Sequence, residues 1–211
     1  MPTSTDAAVT ALRGAILSRE LAPGSAVTEA HVSTTYGVAR PTARIAIDRL
    51  VADGLLTREP HHAARVRRLD RDDIDDLFVS RAAIEGAAVE LLAAASTVPD
   101  EADAAHRDLL EVPADGSYAA RDLLFHRALV RGTSSTRLPR LHDLLMGEIE
   151  LGIAQVEAHG LRSATEVAAE HRSILDSIAA GEVETAGRLA RAHVLASRDR
   201  LIDHYDSTHG R

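Results

Sequence analysis

Cysteine, lysine and tryptophan are all absent from the 211 residues of this chain. Without cysteine there is no disulfide and no thiolate ligand, so any bound metal must be held by nitrogen and oxygen atoms. Aromatic residues make up only 2% of the chain. The core must therefore come from long stretches rich in alanine, leucine, isoleucine and valine, a composition that favours helices over sheets.

Long apolar runs are missing as well. No run reaches the roughly 18 residues that a membrane-spanning helix needs. The first ten residues, MPTSTDAAVT, lack the basic region and hydrophobic stretch of a secretion signal. We expect a cytoplasmic protein with no membrane partner.

The net charge of −8 is unevenly distributed along the chain. Residues 1–69 contain nine arginines and six acidic residues, whereas residues 70–211 contain fifteen arginines and twenty-six acidic residues. A small arginine-bearing head on an acidic body indicates that only the head meets a polyanion. The alternative is uneven surface charge without a nucleic-acid partner.

Residues 1–69 have the pattern of a winged helix-turn-helix. Helical spacing and turn residues predict a helix over 7–21, a short helix over 28–37, a helix from 39 or 40 to 54 and a two-stranded wing over 55–69. Thr28 is the predicted N-cap of the second helix and Gly37 its end. Two short helices, a turn and a ribbon make a DNA-binding fold.

The helix predicted from 39 or 40 to 54 has an arginine-rich outer side. Its polar residues are Arg40, Thr42, Arg44 and Arg49. Such side chains reach phosphates and guanine edges, so we expect them to contact DNA. Exposed arginines also serve solubility, which is the alternative role.

Residues 70–211 are predicted to form an all-α domain. Helices are expected over 70–96, 98–112, 118–131, 138–158, 163–180 and 182–205, with a loop over 113–117 and a break at 159–162. Ser163 and Glu166 have the spacing of a capping box. The boundary between the two domains is predicted near residues 68–72.

The stretch RDLLFH, residues 121–126, places a carboxylate and an imidazole on the apolar face of one helix. Asp122 and His126 are one turn apart, so they share that face. His171 and His193 lie within the apolar stripes of the last two helices. Three imidazoles and a carboxylate turned inward make a suitable site for a divalent transition metal. A single inward histidine is more often a hydrogen-bonded core residue, and that remains the alternative for each one.

Several motifs resemble the GntR family of bacterial transcription regulators. In the first domain they are PG at 23–24, Glu29, GVAR at 37–40, Arg44 and RLVADGLL at 49–56. The second domain resembles the FCD branch of that family through RAAIE at 81–85, DLLFH at 122–126, EHRSIL at 170–175 and the spacing from Gly181 to His193. The resemblance covers nearly the whole chain.

This resemblance implies a homodimer that binds a palindromic DNA operator and a small metabolite, often a carboxylate. It also implies a metal held by Asp122, His126, His171 and His193. Arg81 and Glu85 match a family motif and become candidate effector-binding residues, because a guanidinium binds carboxylates bidentately. An ion pair between Arg81 and Glu85, one turn apart, is the alternative.

The first domain departs from the family pattern in ways that affect operator choice. Ala39 replaces the usual serine or threonine at a helix cap, at a cost of about 1 kcal/mol. Ile45 stands where glutamate is usual and is expected to be exposed, where it either contacts a thymine methyl group or is neutral for binding. Ala63 replaces the usual wing glycine, and His61 and His62 at the tip are candidate DNA contacts.

The sequence thus predicts a mainly α protein: a winged helix-turn-helix over 1–69 and a six- to seven-helix FCD-type bundle over 70–211. We expect a metabolite-responsive transcription regulator, a repressor, with a divalent metal (zinc, or else nickel, manganese or iron) and no catalytic residues. One alternative is the same regulator with a metal-free acyl-ligand cavity. Another is a metal-dependent hydrolase, which is disfavoured because Glu170 points about 100° from His171 on a helical wheel, leaving no general base beside the site.

Overall fold

The computed structural model of the protein describes residues 4–113, 117–156 and 162–209. Most of the predicted break at 159–162 and part of the predicted loop at 113–117 lie outside these residues. The chain divides into two compact units. The first comprises Met1–Asp70 and Leu144–Gln155, and the second comprises Arg71–Asp143 and Val156–Arg211.

The first unit contains a winged helix-turn-helix. Its elements are α1 (Ser4–Leu17), β1 (Ala26–Val27), α2 (Glu29–Tyr36), α3 (Arg40–Ala52), β2 (Leu56–Thr57) and β3 (Ala64–Val66). The first helix was predicted to extend to residue 21, but it ends at Leu17. Arg19 then adopts a left-handed φ of 63°, a conformation that cannot continue a right-handed helix.

The wing is a three-stranded sheet in which β3 lies between β1 and β2. Both pairs are antiparallel, with Ala26 opposite Arg65 and Leu56 opposite Val66. The two strands predicted over 55–69 are confirmed as β2 and β3, and the structure adds β1, which was not predicted. The missing strand has only two residues, too few to show the alternation that identifies a strand.

The predicted boundaries of α2 are confirmed. The side-chain oxygen of Thr28 accepts a hydrogen bond from the backbone N–H of His31, and Gly37 ends the helix with φ 64°. Ala39 precedes α3 without a side-chain cap, as its residue type requires. Together α2 and α3 bury a core that includes Val32, Ala43 and Ile47.

The second unit is a bundle of helices. The helices after the wing are α4 (Arg71–Ala94), α5 (Asp100–Leu110), α6 (Ala119–Arg131), α7 (Leu138–Gln155), α8 (Ala164–Ala179) and α9 (Val183–His209). The capping box of Ser163 and Glu166 is confirmed at the start of α8. Two glycines lie where α4 packs on α9: a Cβ at Gly86 would overlap the side chain of Arg191, and one at Gly187 would overlap that of Glu90.

The apolar core of the bundle draws on α4, α5, α6, α8 and α9. It includes Val89, Phe125, Leu129, Ile174 and Ile178, each at most 1% exposed. Burying side chains of this size contributes roughly 1.5–3 kcal/mol each. The core thus fixes the helices that carry the inward-facing polar groups.

Helix α7 is shared between the two units, because residues from Leu144 onward belong to the first. Gly147 lies so close to the backbone oxygen of Asp53 that a Cβ atom would overlap it. Arg13 forms an ion pair with Glu150, and the side-chain amide of Gln155 donates to the backbone oxygen of Arg67 at 2.6 Å. The second half of α7 is thus part of the structural support of the winged helix.

In the part of the chain that the structure describes, no helix is long and apolar enough to cross a membrane.

Candidate functional site

The structure brings Asp122, His126, His171 and His193 together inside the bundle. One ligand atom from each side chain lies within 4.8 Å of those of the other three. His126 and His193 face each other with their Nε2 atoms 3.2 Å apart, and His171 Nε2 lies 3.2 Å from Asp122 Oδ1. The three histidines are at most 5% exposed, so solvent does not solvate their ring nitrogens freely.

Glu85 on α4 is an anionic centre beside this cluster. Its carboxylate accepts hydrogen bonds from Arg81 Nε at 2.7 Å and His142 Nε2 at 2.9 Å, and it lies 2.6 Å from His126 Nδ1. Burial alone would raise the pKa of Glu85, but Arg81 and His126 hold it well below its usual range. Glu85 is therefore a carboxylate at neutral pH although it is only 1% exposed.

Arg81 forms the ion pair with Glu85 that the sequence left as the alternative to effector binding. The pair is almost completely buried, with exposures of 2% and 1%. Arg81 also stacks over the ring of Phe78. Its Nη2 atom, however, is buried and has no hydrogen-bond partner among the residues that the structure describes, so one donor of the guanidinium is available for a further acceptor.

Glu170 on α8 contacts the cluster, although its direction on the helical wheel had indicated that it would lie away from the site. It does point away from His171, but it reaches His193 on the neighbouring helix and accepts a hydrogen bond from Nδ1 at 2.6 Å. Arg162 donates two further hydrogen bonds to Glu170, both 2.7 Å long. Burial would raise the pKa of Glu170, but His193 and Arg162 lower it to about 2.

These carboxylates determine which ring nitrogens face the site. A histidine whose Nδ1 proton points at a carboxylate presents the lone pair of Nε2 on its other side. His193 Nδ1 makes such a hydrogen bond to Glu170 at 2.6 Å, whereas Glu85 lies 2.6 Å from His126 Nδ1 without hydrogen-bond geometry. In the state where both facing Nε2 atoms carry lone pairs, they repel each other at 3.2 Å, so a shared proton or a cation between them is stabilising.

The pKa values of the four residues follow from burial and from these contacts. Burial would raise the pKa of Asp122, but His126 and His171 hold it well below its usual range. Burial lowers the pKa of His171 to about 4, despite the nearby Asp122, and also lowers the pKa of His193. The pKa of His126 is raised because Glu85 and Asp122 outweigh its burial.

His171 is fully buried and stacked on Phe125, with ring centroids 3.7 Å apart. Neither of its ring nitrogens makes a formed hydrogen bond with the residues that the structure describes. A buried polar atom left in this state costs about 1–3 kcal/mol. A partner bound at His171 Nε2, on the side that faces Asp122, would therefore stabilise the site.

Three polar residues of this network, His142, Glu170 and Arg162, were not predicted as site residues. His142 on α7 meets Glu85 on α4, so no spacing along the sequence indicates the contact. Glu170 was present in the EH motif, but its partner lies on another helix. The contact of Arg162 with Glu170 depends on the chain that precedes α8, which no local pattern specifies.

The predicted DNA-contacting residues are on the surface of the winged helix. Arg40, Arg44, Arg49 and Ile45 are exposed and Thr42 is half-buried. Arg44 lies 3.5 Å from Glu29 and stays 68% exposed, whereas Arg49 pairs with Asp6 on α1 at 2.7 Å. Arg44 is thus more available to a phosphate than Arg49.

His61 and His62 are exposed at the tip of the wing. Together with Arg44 and Arg58 they line a groove beside α3. The left-handed residue of this turn is His61, with φ 65°, and not the position of Ala63 that the sequence singled out. A histidine in this conformation costs roughly 1–2 kcal/mol, so contacts of the neighbouring residues have to stabilise the turn.

A winged helix with exposed arginines, joined to a helical domain with an inward-facing polar cluster, defines a DNA-binding transcription regulator. The FCD domain family matches residues 76–196, and the family of bacterial regulatory proteins called gntR matches residues 4–66. The chain belongs to the GntR family of transcription regulators, in its FCD branch.

Curated and solved relatives agree with this assignment. The chain is 30% identical over 179 residues to a protein named "Probable D-xylose utilization operon transcriptional repressor" from Paenarthrobacter nicotinovorans, covering 82% of this chain and 77% of the relative. A crystal structure of a GntR transcriptional regulator from Rhodococcus sp. RHA1 has a TM-score of 0.76 at 24% identity and covers 94% of this chain and 97% of its own. E. coli McbR/YncC also has a TM-score of 0.76, at 19% identity, covering 97% and 100%. These two structures are similar in fold.

Proposed function

We propose that this regulator senses a small carboxylate metabolite at a divalent metal held by Asp122, His126, His171 and His193. The observation that carries the proposal is the arrangement of donor atoms inside the bundle. Four nitrogen and oxygen atoms converge, and the Nε2 atoms of His126 and His193 face each other at 3.2 Å. In this proposal the protein is a repressor whose DNA affinity depends on the bound metabolite.

The donor set fits a transition metal. Two donors bound to zinc at ~2.0–2.1 Å in tetrahedral geometry are about 3.3 Å apart. The pairs His126–His193 and His171–Asp122 are each separated by 3.2 Å. His126 and His193 lie farther from Asp122, at 3.6 and 3.9 Å. Zinc suits imidazole and carboxylate donors, and nickel, manganese or iron are the other candidates.

When bound, such an ion would supply a Lewis acid, and a carboxylate would join the four protein donors by raising the coordination number above four. The residues of the chain orient the ligands and exclude water. Phe125 covers His171 on one ring face, and Glu85 and Glu170 approach the outer nitrogens of His126 and His193.

The charges of the buried groups favour an anionic metabolite. Asp122, Glu85 and Arg81 together carry a net charge of −1, and Glu170 with Arg162 forms a neutral pair. A divalent ion makes the whole cluster net positive. Because buried charge is costly unless neutralised, a carboxylate would complete the balance. The free Nη2 donor of Arg81 is a candidate to bind it, with Glu85 holding Arg81 in place.

The winged helix would convert metabolite binding into a change in DNA binding. We propose that Arg40, Thr42, Arg44 and Ile45 contact the operator from α3, that His61 and His62 contact it from the wing, and that Arg49 has a lesser part. A homodimer would place two such surfaces on a palindrome. Val79, Leu91, Leu124 and Leu141 on the bundle are 45% to 55% exposed, and a dimer interface that covered them would gain apolar burial. The metabolite would bind one arrangement of the dimer better and thereby shift the DNA-binding population.

A binding experiment with the promoter fragment of its own gene tests this proposal. The purified protein, loaded with zinc, should retard that fragment. A panel of mono- and dicarboxylates should contain members that change the affinity, while D-xylose serves as an uncharged comparator. No retardation with or without the acids would contradict the regulatory proposal. A response to D-xylose alone would contradict the carboxylate proposal.

A further inference from the structure

We infer that Glu170 is a positioning residue for the metal centre, and that it fixes the ring of His193 so that Nε2 faces the other donors. This inference rests on the proposed metal site and extends it to a group that does not touch the metal. Glu170 acts through His193, and Arg162 in turn holds Glu170.

The contacts of Glu170 define this role. Its Oε2 atom accepts a hydrogen bond from His193 Nδ1 at 2.6 Å. The same oxygen accepts from Arg162 Nη1 and the other oxygen from Arg162 Nη2, both at 2.7 Å. The bidentate contact prevents the carboxylate from rotating, so the direction of its bond to His193 is set by Arg162.

A proton held on Nδ1 of His193 determines the state of Nε2 on the opposite side of the ring. His193 then carries its lone pair on Nε2, the atom that lies 3.2 Å from His126 Nε2. Without Glu170 the ring of His193 could take either tautomer and could flip. A carboxylate behind a metal-binding histidine also makes the imidazole a better donor.

The other two histidines provide an internal comparison. Glu85 lies 2.6 Å from His126 Nδ1, close enough for an electrostatic contact but without the geometry of a hydrogen bond. His171 has no hydrogen-bond partner at Nδ1 among the described residues and depends on its stacking with Phe125 for orientation. The helix α8 thus supplies one ligand, His171, and through the preceding residue, Glu170, orients a second ligand on α9.

The variant Glu170→Gln tests the inference, with Asp176→Asn as a matched control. Asp176 is on the same helix and its side chain is 68% exposed, in an ion pair with Arg172. Zinc affinity, measured by competition with a chromogenic chelator, should fall about 10- to 100-fold in Glu170→Gln and stay unchanged in Asp176→Asn. Glu170→Asp, which keeps the carboxylate, should recover part of the loss.

A second measurement reads the ring directly in the metal-free protein. Nitrogen-15 NMR of the imidazoles should show the Nδ1–H tautomer for His193 in the wild type and a mixture of tautomers in Glu170→Gln. Arg162→Ala should move the spectrum in the same direction. Wild-type tautomer and wild-type zinc affinity in Glu170→Gln would overturn the inference. If the wild type itself binds no metal, the proposed metal site fails, and the NMR result still decides whether Glu170 positions His193.

Discussion

Removing the metal should lower the melting temperature of the protein, and removing two ligands should abolish that effect. In the variant His171→Ala/His193→Ala only Asp122 and His126 remain of the four donors that lie within 4.8 Å of one another. Two donors do not make a closed site. The decisive quantity is therefore the change in melting temperature that a chelator causes, measured in the wild type and in the variant.

The magnitude of the wild-type change follows from linkage. At a free metal concentration of 100 times Kd, binding adds about 2.7 kcal/mol to the free energy of unfolding. For a chain of this length each kcal/mol corresponds to about 2–4 °C, so chelation should lower the melting temperature by about 5–11 °C. The bound metal would also give His171 Nε2 a partner. Because an unsatisfied buried polar atom costs about 1–3 kcal/mol, the contribution of His171 to the metal affinity is large enough to detect.

The double variant also loses packing, because both side chains are at most 5% exposed. Its melting temperature should be lower than that of the wild type, but the same with and without chelator. His106→Ala is the control for a buried histidine outside the donor set, since its ring centroid lies 6.5 Å from that of His171. It should keep the chelator effect. A freshly purified wild type without metal, whose melting temperature chelation leaves unchanged, would refute the reasoning.

Three further predictions concern DNA binding, pH and effector response. Arg44→Ala should weaken operator binding and reduce the salt slope by about 1, whereas Arg49→Ala, whose guanidinium already pairs with Asp6, should change the slope less; equal effects in a salt titration would contradict this ranking. His171 has a pKa lowered to about 4, against about 6.5 in the unfolded chain, so protonation favours unfolding. In chelator, the free energy of unfolding should lose about 1 kcal/mol from this residue between pH 7.5 and 5.5, and urea denaturation of His171→Gln should show a correspondingly smaller pH dependence. Arg81→Met leaves Glu85 buried without its guanidinium and should destabilise the protein by about 3–5 kcal/mol, with loss of the carboxylate response in the promoter assay. Wild-type stability of that variant would show that the ion pair is dispensable.

Much of the helical architecture could be predicted because its signals are local. The cap at Thr28, the left-handed Gly37 and the capping box at Ser163 all depend on residues three or four positions apart. The inward faces of the last helices follow from the 3.6-residue period, which placed His171 and His193 among apolar neighbours. Local rules of this kind locate the ligands but not their partners.

The remaining parts of the site depend on contacts between residues far apart in the sequence. Glu85 meets His126 and His142 only after three helices have packed, and no spacing within α4 indicates this. The helical wheel correctly turned Glu170 away from His171, yet it could not show that α9 supplies His193 on that side. The short strand β1 was missed for a similar reason, because its pairing partner β3 lies almost forty residues later.

The contribution of α7 to the first unit bears on how regulators of this architecture can be recombined. The segment Leu144–Gln155 belongs with the winged helix, where Glu148 and Glu150 pair with Arg67 and Arg13. A chimera that exchanges residues 1–69 alone would separate these carboxylates from their arginines. It would also set a foreign backbone at the position of Asp53 against Gly147, where the fit is so close that a Cβ at residue 147 would overlap the Asp53 carbonyl. An exchangeable DNA-reading module is therefore discontinuous in the gene, and a productive exchange has to carry the second half of α7 along with the winged helix.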